Sequence, residues 1–159
     1  NYATVFCSHQ WLGYDAPDPT GIHFKVICNA CECLLSQDNL TADELYVWVD
    51  YTSIPQACKY TQTLSISSLA VYASHLRYFI VVAPETLHSD TEKTCNYDSY
   101  SRRGWCRLEQ WARLASCGTV NMFKWTDTTL ELGFEQVESC LSGEQHATAI
   151  IDTLMVCSG

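Results

Sequence analysis

Short apolar runs that end in polar residues, and are then followed by segments of helical spacing, dictate what this chain can build. Val5-Phe6-Cys7 runs into Ser8-His9-Gln10-Trp11, and Tyr46–Val49 runs into Asp50-Tyr51. Tyr78–Ala83 (YFIVVA) runs through a polar loop into Tyr100–Leu114 (YSRRGWCRLEQWARL). Alternation of short strands with helices is the mark of βαβ units, which pair their strands in parallel. The pattern predicts an α/β fold with a central four- to five-stranded parallel sheet flanked by helices. Ligands of such sheets bind at the carboxyl ends of the strands, where loops and helix N-termini converge. One pocket at that edge would collect Ser8, His9, Asp50, Trp105 and Glu109.

The expected elements follow in order. Strands are predicted at about Thr4–Cys7, Leu45–Val49, Arg77–Ala83 and Thr119–Lys124, and helices at about Ile22–Ser36, Thr61–Ser74 and Gly104–Cys117. Gly118 is placed to cap the last of these. Pro55 disfavours a helix running through the loop Asp50–Lys59. A short fifth strand is read over Leu130–Phe134 and a closing helix over Glu144–Val156. The loops after the first and third strands are long for a compact domain, which marks them as functional. The 159 residues are read as one domain, excised from a longer protein.

Composition narrows the function classes. The chain is 47% hydrophobic and 17% charged, as a folded protein is, and its net charge is −9. A nucleic-acid surface needs clustered Lys and Arg, and nine basic residues in an acidic chain do not supply one. Three of the nine, Arg102, Arg103 and Arg107, lie close together; they read either as a site for a small anion or as a solvated loop. No apolar run is long enough to span a membrane, and no stretch reads as a signal peptide. Ten cysteines invite a disulfide reading, but Cys7 sits in a strand and Cys28, Cys31, Cys106 and Cys117 sit in helical stretches, where free thiols act as small buried hydrophobes. A reduced, cytoplasmic protein is the expectation. Phe24, Ile27, Cys28, Cys31, Leu34 and Leu35 fall on one helical stripe and Cys33 points away from it, so the Cys28-Cys31-Cys33 run is read as core packing and not as a zinc site, and no metal is expected.

Particular residues admit particular chemistry. Glu109 lies on a helical stripe with Trp105, Leu108, Trp111, Ala112 and Ala115, and reads either as a surface glutamate or as a partly desolvated carboxylate at the sheet rim. Ser8 and His9 are adjacent in a strand, point to opposite faces, and are poorly placed as a nucleophile–base pair. Asp50 is a ligand contact or a loop cap. Trp11, Tyr51 and Trp105 are stacking surfaces for a planar ring or plugs over the core edge. Glycine-rich dinucleotide, phosphate-loop and nucleophile-elbow motifs are absent from the sequence.

Four segments, in order, resemble Toll/interleukin-1 receptor (TIR) domains. Val5-Phe6-Cys7-Ser8-His9 resembles the first TIR box. Val47-Trp48-Val49-Asp50 with Tyr51–Gln56 resembles the second strand and the proline-bearing loop after it. Ser65–Ser74 with Phe79-Ile80-Val81-Val82 resembles the next helix and strand, and Arg103–Glu109 resembles the Trp-Cys-x-x-Glu motif. The resemblance spans about Thr4 to Phe123 and implies a flavodoxin-like fold. It also implies cleavage of the nicotinamide–ribose bond of NAD+, a substrate rather than a cofactor, with Glu109 as the catalytic carboxylate. Ser8, His9, Gln10, Trp11, Asp50, Tyr51, Arg103 and Trp105 would contact the substrate. Ile54, Pro55 and Gln56 would lie in a loop used for homotypic self-association, so that turnover per protomer would rise with protein concentration. Gln10 and Trp11 stand where the animal axon-degeneration enzyme has basic residues, so phosphate contacts would come from Arg102 or Arg103. The products would be nicotinamide with linear or cyclic ADP-ribose, in immune or cell-death signalling. Two other readings stand beside this one: a noncatalytic TIR-like interaction module, and a nucleoside deoxyribosyltransferase-like enzyme.

Overall fold

A computed structural model describes residues 2–125 and the backbone of residues 130–132. The closing helix expected over Glu144–Val156 lies outside the described residues. Strand β1 (Ala3–His9) leads by a long loop into α1 (Ile22–Asp38), then β2 (Leu45–Trp48), the helical turn α2 (Asp50–Ser53), α3 (Lys59–Ser67), α4 (Leu69–His75) and β3 (Tyr78–Val82). A two-stranded ribbon, β4 (Thr86–Leu87) with β5 (Thr94–Cys95), and the short helix α5 (Tyr97–Ser101) precede α6 (Gly104–Cys117), β6 (Met122–Trp125) and β7 (Leu130–Leu132).

The main sheet has the order β2-β1-β3-β6-β7. The first four strands are mutually parallel, as the βαβ pattern predicts. The fifth strand exists where it was expected, but it pairs antiparallel to β6, so the parallel sheet has four strands and not five. Only four residues separate β6 from β7, room for a tight reversal and too few for the crossover that parallel pairing needs. With this strand order the chain leaves β1 to one side through α1 and returns to the other through α3 and α4. The carboxyl ends of β1 and β3 therefore form the point where the winding reverses, which is the ligand position of flavodoxin-like sheets.

Period-2 alternation divides the core into two layers. Val5 and Cys7 with Tyr78, Ile80 and Val82 face Val26, Ala30 and Leu34 of α1. Phe6 with Phe79 and Val81 faces Leu69 and Ala73 of α4, Tyr100 of α5 and Cys106 of α6. β3 is buried throughout, which is why its sequence is an unbroken apolar run. Each large side chain so buried contributes roughly 1.5–3 kcal/mol.

Several local expectations are corrected. The helix expected over Thr61–Ser74 is two helices, broken at Ser68. Ser67 and Ser68 each donate back to the carbonyl four residues earlier, Thr63 O at 2.9 Å and Leu64 O at 3.0 Å, a bond that bends helices. The buried stripe of α1 is His23, Val26, Ala30 and Leu34, and Phe24 faces solvent. The eight described cysteines are free; Cys33 is exposed, in keeping with its place off the stripe, whereas Cys117 is exposed rather than packed. On α6 the buried residues are Cys106, Glu109 and Arg113, whereas Trp105 and Leu108 are exposed. The stripe is thus rotated away from its apolar members because both charged side chains have partners inside. Arg113 donates to Leu76 O (2.5 Å), Arg77 O (3.0 Å) and Val120 O (2.7 Å), tying α6 to the α4–β3 junction and to the turn before β6. Gly118 ends the helix with φ of 62° and its N–H on Leu114 O, as expected.

Candidate functional site

A cleft of about 410 Å3 opens beyond the carboxyl ends of β1 and β2, with the loop after β3 and the start of α6 on its other side, within the range of small-molecule sites. His9, Gln10, Trp11, Asp50, Tyr51, Ile54, Gln56, Arg103, Trp105 and Glu109 line it, together with Tyr14, His88 and Cys106. Most residues read from the sequence as site residues therefore converge on one cavity. Ser8 is buried behind Glu109 instead of in the wall, and Pro55 is exposed outside the lining.

The alternation at the end of β1 sorts the site. Ser8 turns toward α5 and α6, where its hydroxyl donates to Glu109 Oε2 and lies 2.6 Å from the Tyr100 hydroxyl. His9 turns the other way, toward α1, with its ring 5.3 Å from that of His23 and Nε2 3.5 Å from Asp50 Oδ1. The two never meet, so a Ser–His nucleophilic pair is not formed. Gln10 follows Ser8 onto the α5 side. Its amide donates to Asn96 O (3.2 Å) and accepts from Ser99 Oγ (3.0 Å), so this side chain braces α5 and has little left for a ligand.

Glu109 is only 7% exposed. Burial pushes its carboxyl up to about 8 from an ordinary value of 4.5; the Ser8 hydrogen bond pulls it down and the nearby Asp50 charge pushes it up. At pH 7 about a tenth of such a group is ionised. Trp105 does not supply that desolvation, since its indole is 59% exposed at the cleft mouth. Cys106, one turn before Glu109, has its thiol pushed up to about 12, mainly by burial and then by the Glu109 charge, so it carries no thiolate chemistry.

Asp50 begins α2 and is fixed from several sides. Trp11 Nε1 donates to Oδ2 at 2.9 Å and the Tyr51 N–H donates to Oδ1 at 2.6 Å. Asp50 occupies the first turn of α2, whose N-cap is Val49, and it lines the cleft. Trp11 and Tyr51 meet edge to face at 5.9 Å and form an aromatic wall. Of the three clustered arginines, Arg103 lines the cleft, and it is the one Lys or Arg side chain among the described lining residues. In the loop after α2, Ile54 is buried, and Gln56 donates to Tyr51 O (3.2 Å) and Ile54 O (2.8 Å).

Sequence reasoning missed Tyr100, His23 and the far wall of the cleft. Tyr100 is wholly buried on α5, a helix too short to show a period; its signal is the capping box that Asn96 and Ser99 form. The far wall is Tyr14 and His88, whose rings lie 5.1 Å apart. They are held because Asp90 accepts from the Tyr14 N–H (2.8 Å) and Leu12 O accepts from the Ser89 N–H (2.7 Å). Gly13 must stay small here, since a Cβ would lie 2.9 Å from Pro19 Cγ and 3.0 Å from Ala16 O. His23 is 1% exposed, and among the described residues neither ring nitrogen meets a hydrogen-bond partner. Burial chiefly, then His9, lowers its pKa to about 4, against an opposing pull from Asp18, so it stays neutral.

Among the described residues no group of three His, Cys, Asp or Glu side chains is arranged to hold a metal, and no helix is long and apolar enough to cross a membrane. No family model, curated protein or solved structure matches the chain.

Proposed function

We propose that the chain is a TIR-type NAD+ glycohydrolase that breaks the nicotinamide–ribose bond at the carboxyl edge of the sheet. The observation that carries this reading is the buried Glu109 carboxyl, held by Ser8 at the base of a cleft walled by aromatic rings and open to solvent. When the C1′–N bond of NAD+ breaks, the bonding electron pair goes to the nicotinamide nitrogen and neutralises its charge. The positive charge passes to C1′ and the ribose ring oxygen. An ionised Glu109 facing that ribose stabilises the oxocarbenium-like state and binds its hydroxyls. The leaving group departs neutral and needs no proton, so Asp50, the second carboxyl of the cleft, is not required as an acid. Water then adds to C1′ and yields ADP-ribose, or an internal nucleophile of the substrate adds and yields a cyclic product. The negative charge of Asp50 also favours the cationic ring, and Trp11, Tyr51 and Trp105 offer faces for it. Arg103 is the group available to the pyrophosphate.

A second reading, an interaction surface, has its own support. Tyr51, Tyr60, Leu64, Trp105 and Leu108 expose large apolar side chains, some of them at the cleft mouth. Homotypic association through that surface is compatible with catalysis and would make turnover rise with protein concentration.

The test is NAD+ consumption by concentrated protein, with products identified by mass spectrometry beside a Glu109→Ala control. Nicotinamide release that vanishes in the control supports the proposal. Base exchange between deoxynucleosides, or no turnover even on a clustering support, contradicts it.

A further inference from the structure

The hydroxyls behind Glu109 form a chain whose direction can be worked out by counting protons. An ionised Glu109 can only accept, so in that state the single Ser8 O–H is donated to Oε2. The 2.6 Å contact between Ser8 Oγ and the Tyr100 hydroxyl must then be a donation from Tyr100, because Ser8 has no second proton to give. Tyr100 keeps that proton, since burial holds its phenol well above the ordinary value, and with its one O–H committed to Ser8 the phenol can only accept from the Gln110 side chain that hydrogen-bonds it. The order is therefore Gln110 to Tyr100 to Ser8 to Glu109. Every link points its hydrogen toward the carboxyl. Chains of this kind polarise one another and strengthen the final bond.

The chain is built on fixed supports. Tyr100 is wholly buried, and its N–H is bonded to Asn96 O at 2.9 Å. Asn96 Oδ1 accepts from the Ser99 N–H (3.1 Å), and Gln10 clasps both Asn96 and Ser99. Ser8, near the end of β1, and Gln10, just beyond it, thus grip the two ends of the same short helix.

We infer that Tyr100 is a positioning residue of the site: its donation to Ser8 commits the single Ser8 proton to Glu109 Oε2, which steadies the carboxylate form and leaves Oε1 for the cleft. This deepens the proposed activity and rests on it only where turnover is measured. The other ionisable groups facing Glu109 are Asp50 from α2, whose charge opposes ionisation, and the Cys106 thiol from its own helix, which stays protonated. His9 lies on the opposite face of β1 beside His23, and Arg103 stands at the start of α6.

The test follows the Glu109 carboxyl by carbon-13 NMR in protein labelled at glutamate side chains, with the signal assigned by its loss in Glu109→Gln. In Tyr100→Phe, which removes one oxygen atom, the titration midpoint should move to higher pH by about half a unit to one unit. Gln110→Leu should move it the same way by less. In NAD+ cleavage the midpoint of the kcat/KM profile should follow, a change that a merely structural role would not produce. A midpoint that is unchanged or lower in Tyr100→Phe with native near-ultraviolet dichroism overturns the inference. If that variant does not fold, Gln110→Leu decides by the same criterion. Absence of NAD+ cleavage in the unsubstituted chain would remove the activity and leave the inference to the titration alone.

Discussion

Glu109→Gln should change stability by an amount set by pH, and the amount follows from burial. The carboxyl rises from an ordinary 4.5 to about 8 in the folded chain. At 1.36 kcal/mol per tenfold change in proton affinity the ceiling is roughly 4–5 kcal/mol, and relaxation with water entry brings it to about 2–4 kcal/mol. The sign is that of a raised pKa. Below pH 4.5 folded and unfolded chains both hold the proton, and the contribution to stability is fully present. Between 4.5 and about 8 the unfolded chain releases the proton while the folded chain keeps it, so stability falls. Above about 8 both are ionised and the loss is complete. Gln has no such proton. Its oxygen still accepts from Ser8, and whatever its NH2 costs is independent of pH. Urea unfolding at steps from pH 4 to 9, followed by tryptophan fluorescence, gives both curves. Their difference isolates this group from every other titration in the chain. The reasoning requires the difference to move in favour of Gln by about 2–4 kcal/mol across that range. A difference constant to within about 0.5 kcal/mol would refute it, and would mean that the carboxyl is solvated as an ordinary surface group is.

Other substitutions test other parts. His23 titrates in the opposite sense: its lowered pKa contributes stability above pH 6.5 that is lost as pH falls toward about 4. His23→Leu should therefore flatten the acid limb by up to about 3 kcal/mol in the same urea series, and an equally steep limb would contradict the burial argument. Arg113→Met, which deprives three carbonyls of their donor, should cost about 3–5 kcal/mol in urea at pH 7, with Arg113→Lys restoring less than half because an ammonium cannot reproduce the fork. Arg103→Ala should raise KM for NAD+ by about tenfold and change that for nicotinamide riboside much less; equal changes would place the guanidinium away from the phosphates.

The sheet was legible because its signal is repeated: Val5–Cys7, Leu45–Val49 and Tyr78–Ala83 each carry strand character over enough residues to register. The direction of β7 was not, since pairing sense depends on the four residues before Leu130 and leaves no periodic trace. Ser8, Asp50 and Glu109 were found as strand-end and helix-start residues, positions that topology alone brings together. The face of α6 was misread because hydrophobic periodicity assumes that charges point outward. Glu109 and Arg113 point inward because Ser8 and three backbone carbonyls receive them, and those partners lie far away in sequence. Tyr100 was invisible for the same reason: its importance is a hydroxyl contact across ninety-two positions, on a helix of five residues.

Whether an ionised Glu109 drives cleavage of the nicotinamide–ribose bond is read from kcat/KM for nicotinamide release from NAD+ between pH 6 and 10. The rate should climb through a midpoint near 8, where Glu109 ionises, and fall at least a hundredfold at every pH in Glu109→Gln. Equal rates in the two proteins, or turnover that is flat across that range, would contradict that role of Glu109.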